Sequence, residues 1–272
     1  MQQTEKKLKN RAKWLRKKIL DMTVRAGAGH IAPSFSCADI LIALYHGGII
    51  RCKPGNPKWN GRDRFILSKG QAAVALYAVL ADLGFFPVSE LKTFTQCGSF
   101  LGGHTENTIP GVEAFTGSLG HGLSLAAGIA LAARIDRKRF RTYVLLGDGE
   151  CHEGSVWEAA MFAGEKKLDN LIAIVDVNGL SATDHLSHYL DVEPFADKWR
   201  SFGWDVSTVD GHSISGLLRQ IRISTDARGK PSVILARTTK GKGVSFMEDS
   251  PIWHYRIPVG KELEQAKKEL DE

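Results

Sequence analysis

Five short apolar runs divide the chain, each stopping on polar or glycine residues: Arg64–Ser68, Thr142–Leu146, Leu171–Val177, Trp204–Val209 and Ser232–Arg237. Between them lie longer stretches, at 71–84, 119–136, 153–168 and 214–224, whose apolar positions fall three and four apart. The first kind of run has the length of a buried strand, and the second has helical period. Strands that are apolar along their whole length need cover on both faces. Their alternation with helices predicts an α/β fold: a doubly wound, mostly parallel sheet with helices on both faces. Leu8, Ala12, Leu15, Ile19 and Met22 make one stripe, so an amphipathic helix is expected at the start of the chain. Residues 87–113 show no period, and an irregular segment of that length reads as a functional loop. No repeat and no Pro- or Ser-rich linker interrupts the pattern, and residues 1–272 are read as one domain.

Composition narrows the class without naming a chemistry. Hydrophobic residues make up 43% of the chain, enough for a large core, and 24% are charged. The net charge of +6 is dispersed, apart from KKLKNRAKWLRKK near the N-terminus. That cluster reads as the solvated face of a docked helix, so neither nucleic acid nor a membrane is expected as a partner. No apolar run approaches the ~18 residues of a membrane span, and no signal or transit segment is visible. Cys37, Cys52, Cys97 and Cys151 have neither CxxC nor metal-like spacing, so reduced thiols and a cytoplasmic protein are expected.

The candidate chemistry sits where two of the runs end. Asp148 follows YVLLG and Asn178 follows LIAIVDV, 30 residues later. That interval fits a helix and a return to a neighbouring parallel strand, which brings both side chains to one sheet edge. A carboxylate and an amide oxygen are hard ligands, suited to magnesium or calcium. Two side chains leave an octahedron incomplete, so magnesium there would also want phosphate oxygens. The glycines beside Asp148 permit close backbone approach, and the helix opening near Glu153 offers free N–H groups. For Gly-Asp-Gly alone, an Asp cap on a glycine turn is the simpler alternative. The paired Asn favours a Mg-diphosphate site.

The surrounding blocks resemble transketolases. They include AGH at 28–30, RDRFILSKG at 62–70, GGHTE at 102–106, PGVEAFTGSLGHGLSLAAGIALA at 110–132 and GDGECHEGSVWEA at 147–159. FGWDVSTVDGH at 202–212 and TTKGKGVSFMEDSPIWH at 238–254 extend the likeness in order over nearly the whole chain. The resemblance implies the thiamine-diphosphate-binding fold, with Asp148, Asn178 and the main-chain oxygen of Leu180 ligating Mg2+. It implies that Gly149 and His254 contact the diphosphate, with Lys69 and Lys240 in the matching loops, and that Gly117 and Leu119 border the aminopyrimidine. It also implies that His30, His104 and His254 line a substrate channel, where imidazoles suit proton exchange with sugar hydroxyls. Glu153 is placed with the cofactor-binding residues. Glu153 and Glu158 also admit two further readings, charges favoured at a helix N-terminus or a glutamate network at a subunit interface. His152, His185, His188 and His212 are read as surface or supporting residues. The implied activity is transfer of a two-carbon ketol unit from a ketose to an aldose, as sugars or sugar phosphates.

A transketolase of full length carries a pyrimidine-binding domain and a third domain that this chain lacks, so by resemblance it holds half of a cofactor site. The expected partner is a C-terminal subunit of about 300 residues, giving α2β2. The Met start and the charged end ELEQAKKELDE favour a natural split gene over a truncated piece. Two departures stand out. Gln71 replaces a histidine that the family usually has close to the diphosphate, and Gln cannot titrate. Ala32 and Pro33 stand where glycines are usual, which stiffens that loop. A related ketose in a specialised pathway is therefore the expected substrate. The alternatives are a non-catalytic regulatory subunit that binds cofactor or partner, or another thiamine diphosphate enzyme such as a 1-deoxyxylulose-phosphate-forming synthase.

Overall fold

The computed structural model describes residues 2–188 and 190–272. In chain order the elements are α1 (Gln2–Ala26), α2 (Ile31–Ser36), α3 (Ala38–Tyr45), β1 (Arg64–Leu67), α4 (Ala73–Asp82), α5 (Gly122–Ile135) and β2 (Thr142–Gly147). There follow α6 (Gly154–Glu165), β3 (Leu171–Val177), α7 (Phe195–Ser201), β4 (Asp205–Asp210), α8 (Ile214–Asp226), β5 (Ser232–Arg237) and α9 (Lys261–Asp271). The strands pair in the order β1-β2-β3-β5-β4, and every pairing among them is parallel. Their carboxyl ends therefore all face one edge.

The runs of β1, β2, β3 and β5 are buried on both sides because their side chains alternate between two helical layers, whereas the edge strand β4 is only partly covered, with Asp205, Thr208 and Asp210 exposed. Phe65, Leu67, Tyr143, Leu145, Ile172, Ile174 and Ile234 pack toward α1, α3, α4 and α8. Ile66, Val144, Leu146, Ala173, Val175 and Val233 pack toward α5, α6 and α7. The predicted N-terminal stripe is the inner face of α1, where Leu15 and Ile19 are fully buried. Small residues let α5 and α6 approach closely, through Ala126, Ala130, Ala159 and Ala163.

All five apolar runs are strands, with shifts of at most one residue at their ends. Two of the predicted helices start late. A tight 3-10 turn at Gly70–Ala72 precedes α4, and Gly120 takes a left-handed turn (φ +84°) before α5 can begin. The short helices α2, α3 and α7 escaped the periodicity reading. Every residue of α2 and α3 is buried, so neither shows a polar face. Residues 87–113 hold one 3-10 turn, Val88–Thr93, and are otherwise irregular, as expected. Among the described residues no helix is long and apolar enough to cross a membrane.

Two helical glycines give opposite expectations. A Cβ on Gly164 would lie 1.7 Å from the carbonyl oxygen of Phe202, whereas one on Gly128 would meet nothing within 4 Å. Gly164→Ala should destabilise the chain by about 1–3 kcal/mol through overpacking. Gly128→Ala should leave stability unchanged or raise it by up to about 1 kcal/mol. Urea titration of the two variants side by side checks the α6–α7 contact.

Candidate active site

Asp148 arrives at the strand-end edge because β2 is buried up to Leu146 and Gly147 then releases the chain into a 3-10 turn, Gly149–His152. Its carboxylate is buried and accepts from the backbone N–H of Gly149 (2.9 Å), Asn178 (2.8 Å) and Gly179 (2.6 Å). The spacing argument is thus met in space: the two strand ends touch. The Asn178 side-chain oxygen accepts from the N–H of Leu180 at 3.1 Å, which turns the loop back over the cleft. Burial pushes the Asp148 carboxyl up to about 6, with the Asp176 charge adding to it and the N–H donors opposing it.

The cleft has a volume of about 320 Å³, and Lys69, Gln71, Leu119, Asp148, Gly149, Asn178, Leu180, Lys240 and His254 all line it. Gln71 Nε2 donates to the carbonyl of Gly117 at 3.2 Å, which fixes the strand-end loop of β1 against the loop before α5. Gly117 cannot carry a side chain, since its φ is +127° and a Cβ would strike the His104 ring at 2.7 Å. His30 gathers the other rings at the mouth: its centroid lies 5.9 Å from His104, 5.2 Å from His254 and 4.7 Å from Tyr255. Glu153 stands apart. It is exposed, caps α6 through its backbone only, packs beside Gly120 and does not line the cleft.

Burial decides the charge states here. It pushes His30 down to about 4, helped by His104 and by the charges of Lys240 and Lys69. It pushes His254 down to about 3, helped by Lys240 and His30. Both rings are neutral near pH 7. The Lys240 ammonium is buried and held down at about 8, first by burial and then by the Lys69 charge. Its Nζ donates to the Ser181 carbonyl and lies 2.9 Å from His254 Nδ1. An ammonium has only donors, so that ring nitrogen is the acceptor and the neutral ring carries its proton on Nε2.

Lys69 is not free to reach far into the cleft. Its ammonium donates to Asp176, to the Pro33 carbonyl (3.1 Å) and to Ser36 Oγ (3.5 Å). Asp176 also accepts from Ser36 Oγ at 2.6 Å and from Thr238 Oγ1. This fully buried carboxylate joins β3 to the β1 loop, to α2 and to the segment after β5. Burial pushes Asp176 up and Lys69 down, but their mutual attraction outweighs it and keeps both ionised. Glu150 does a similar job for the Asp148 turn, accepting from Gly120 N (2.9 Å), Gly147 N (3.1 Å) and Ser68 Oγ. Sequence reasoning passed over both residues. Asp176 carried a signal, a lone acid inside an otherwise apolar strand. His212, read as a supporting residue, bridges Asp39 and the N–H of Thr239, each at 2.8 Å.

The residues present fit a divalent cation with a diphosphate. The oxygen set of Asp148, Asn178 and the Leu180 carbonyl is hard, and a cation would hold the buried Asp148 carboxyl ionised. Lys240 is a buried cation without an acidic partner, which an anion beside it would stabilise. Among the described residues no group of three or more His, Cys, Asp or Glu side chains forms a softer metal site.

The family described as transketolase, thiamine diphosphate binding domain, matches residues 7–270. The chain is 42% identical to an apulose-4-phosphate transketolase subunit from Phocaeicola vulgatus over 257 residues, 94% of this chain and 91% of that protein. It is 43% identical to the 6-deoxy-6-sulfo-D-fructose transketolase subunit SqwG of a Clostridium species, over 89% of this chain and 88% of that one. Human transketolase is 40% identical over 99% of this chain, which spans 43% of the human protein. The crystal structure of Campylobacter jejuni transketolase superimposes with a TM-score of 0.91 at 33% identity, over 97% of this chain and 42% of that one.

Two expectations follow from the buried charges. Asp176→Asn leaves the Lys69 ammonium buried without its counter-charge and should cost about 3–5 kcal/mol in urea unfolding. Removing Lys69 as well, as Met, should cost less than the two single changes summed. The histidines set a pH dependence. In the unfolded chain both take up protons near pH 6.5, whereas in the folded chain they wait until about 4 and about 3. Their contribution to stability is therefore full above about pH 6.5 and lost as the pH falls through about 4 for His30 and about 3 for His254. Stability measured from pH 7 to 4 should fall, and His30→Asn with His254→Asn should flatten that slope by up to about two protons. An unchanged slope would mean that the rings titrate normally in the folded chain.

Proposed function

The chain belongs to the transketolase family through its thiamine diphosphate binding domain, and on that premise we propose that it is the diphosphate-binding subunit of a two-chain transketolase. The single observation that carries this reading is the Asp148–Asn178 pair, locked together at the strand-end edge opposite Lys240 and His254. Residues 1–272 form one cofactor-binding unit. The pyrimidine-binding and C-terminal domains lie on a partner of about 300 residues, in a cytoplasmic α2β2 assembly. The near-complete overlap with relatives named as subunits supports this division.

In this reading Asp148, Asn178 and the Leu180 carbonyl would hold Mg2+, which would offset the negative charge of the diphosphate. Lys240 and the backbone at Gly149 face the diphosphate, while Leu119 and Gly117 border the pyrimidine ring. Lys69 acts through Asp176 and Pro33 as a strut, and Glu153 serves the approach of a neighbouring subunit instead of the cofactor. Thiamine diphosphate supplies the electron sink that allows a ketose carbon–carbon bond to break. The protein's own part is proton traffic and exclusion of water. His30, neutral near pH 7 and set against His254 at the mouth, accepts a hydroxyl proton from the sugar. His254 presents Nε2–H to substrate oxygen, because Lys240 occupies its other nitrogen. His104, exposed at the rim, meets the sugar first.

The donor is a ketose other than the ordinary pentose phosphates. Gln71 supports this, since it supplies a fixed amide where a titratable ring is usual, and two close relatives are named for unusual ketoses. The test is to purify the chain with its co-purifying partner and assay ketol transfer from a panel of ketose phosphates. Activity should need both chains and added Mg2+ with thiamine diphosphate. Asp148→Asn should lower cofactor affinity at least tenfold by calorimetry and abolish turnover. Use of pyruvate as donor would instead identify a synthase, and cofactor binding without any turnover would identify a regulatory subunit. Gln71→His should raise activity with pentose phosphates. An unaltered donor ranking, with pentose phosphates already turned over well, would remove the case for a specialised sugar.

A further inference from the structure

On the opposite edge of the sheet, where the strands begin, a second open cavity of about 580 Å³ is lined by the lead-ins to β1, β2 and β3 and by the ends of α5 and α8. Its charge is uneven. Asp63 is satisfied, accepting from the Arg51 N–H (2.9 Å), the Arg51 guanidinium (2.7 Å) and the Arg141 N–H (2.8 Å). Lys138 pairs with Asp136 at 2.9 Å. Arg134, Arg139, Arg141 and Arg228 then face only Asp169 and Asp226.

Three of these guanidiniums are held in the same manner. Arg134 donates through Nη1 to the carbonyls of Lys166 (2.6 Å) and Lys167 (3.0 Å), and Arg141 through Nη1 to the carbonyl of Asp169 (3.3 Å). Arg228 donates through Nη1 to the carbonyls of Asp226 (2.6 Å) and Ala227 (2.7 Å). None of the three uses Nη2 or Nε on any described residue, and the Arg139 side chain makes no hydrogen bond there. The bonded carbonyls include those at the ends of α6 and α8, so the negative helix ends are already countered. A guanidinium clamped through one nitrogen keeps its plane fixed and presents the rest of its fork, which matches two oxygens of a phosphoryl group.

We propose that this cavity is a binding site for a phosphoryl-bearing anion, separate from the cleft of Asp148 and on the far side of the sheet from it. The occupant is either free phosphate or a small phosphate ester, since both offer the same dianionic head.

Calorimetric titration of the full chain with inorganic phosphate, at constant ionic strength set with chloride, tests this. Lys240→Gln alters the catalytic-edge cleft, and Arg139→Gln alters only the proposed site. Arg139 is exposed and its side chain makes no hydrogen bond or ion pair among the described residues, so this variant should fold normally. The proposal expects phosphate binding to persist in Lys240→Gln and to weaken about tenfold in Arg139→Gln, and further in Arg139→Gln with Arg228→Gln. Glycerol 3-phosphate binding more tightly than phosphate, with the same variant pattern, identifies an ester ligand; equal or weaker binding identifies free phosphate. Binding lost in Lys240→Gln but intact in Arg139→Gln, or no binding beyond that of chloride, overturns the proposal.

Discussion

The arrangement at the strand-end edge depends on one buried carboxylate. Asp176 lies inside the central sheet and ties four separate segments together: its own strand, the loop after β1, α2 and the turn after β5. A charge in so apolar a place is tolerable only with a full set of partners, and here Lys69 and two hydroxyls provide them. Two residues further along is Asn178, and α2 opens directly after His30. The pair that neutralises itself inside the protein thereby fixes both Asn178 and the ring of His30 at the mouth. Lys69, which the resemblance places in a matching loop, lines the cleft, but its ammonium is held by Asp176, Ser36 and the Pro33 carbonyl.

The strands and long helices could be read from the sequence because burial on two faces leaves a clear trace, unbroken apolar runs alternating with helical stripes. Asp148 and Asn178 were readable for the same reason, since their positions follow from where strands stop. The rest of the site was hidden by the same physics. Helices α2 and α3 are buried all round and so lack the polar face that periodicity detects. The supports Ser36, Thr238, Glu150 and Asp176 meet only in three dimensions, at sequence separations of up to 140 residues. Glu153 shows the converse: its motif is intact, yet the helix start turns it outward, away from the cleft.

The cleft combines a buried ammonium with neutral imidazoles, and the two depend on each other. The Lys240 charge helps to hold His30 and His254 in their neutral forms, while burial lowers Lys240 itself to about 8. An anion placed beside Lys240 would favour its charged form, and the electrostatics of the whole pocket would then shift with occupancy.

The strand order carries a consequence for how the protein is made. Because β5 lies between β3 and β4, the sheet has a gap beside its central strand until residues 232–237 have left the ribosome. The β3 edge of that gap is apolar and unpaired during this time, which is the condition in which nascent chains associate wrongly. Lys240 and His254 emerge later still, so the cleft cannot assemble until residue 254 has been made. A premature stop between β3 and β5 would therefore yield a half-sheet with an exposed β3 edge, a product for chaperones and proteases.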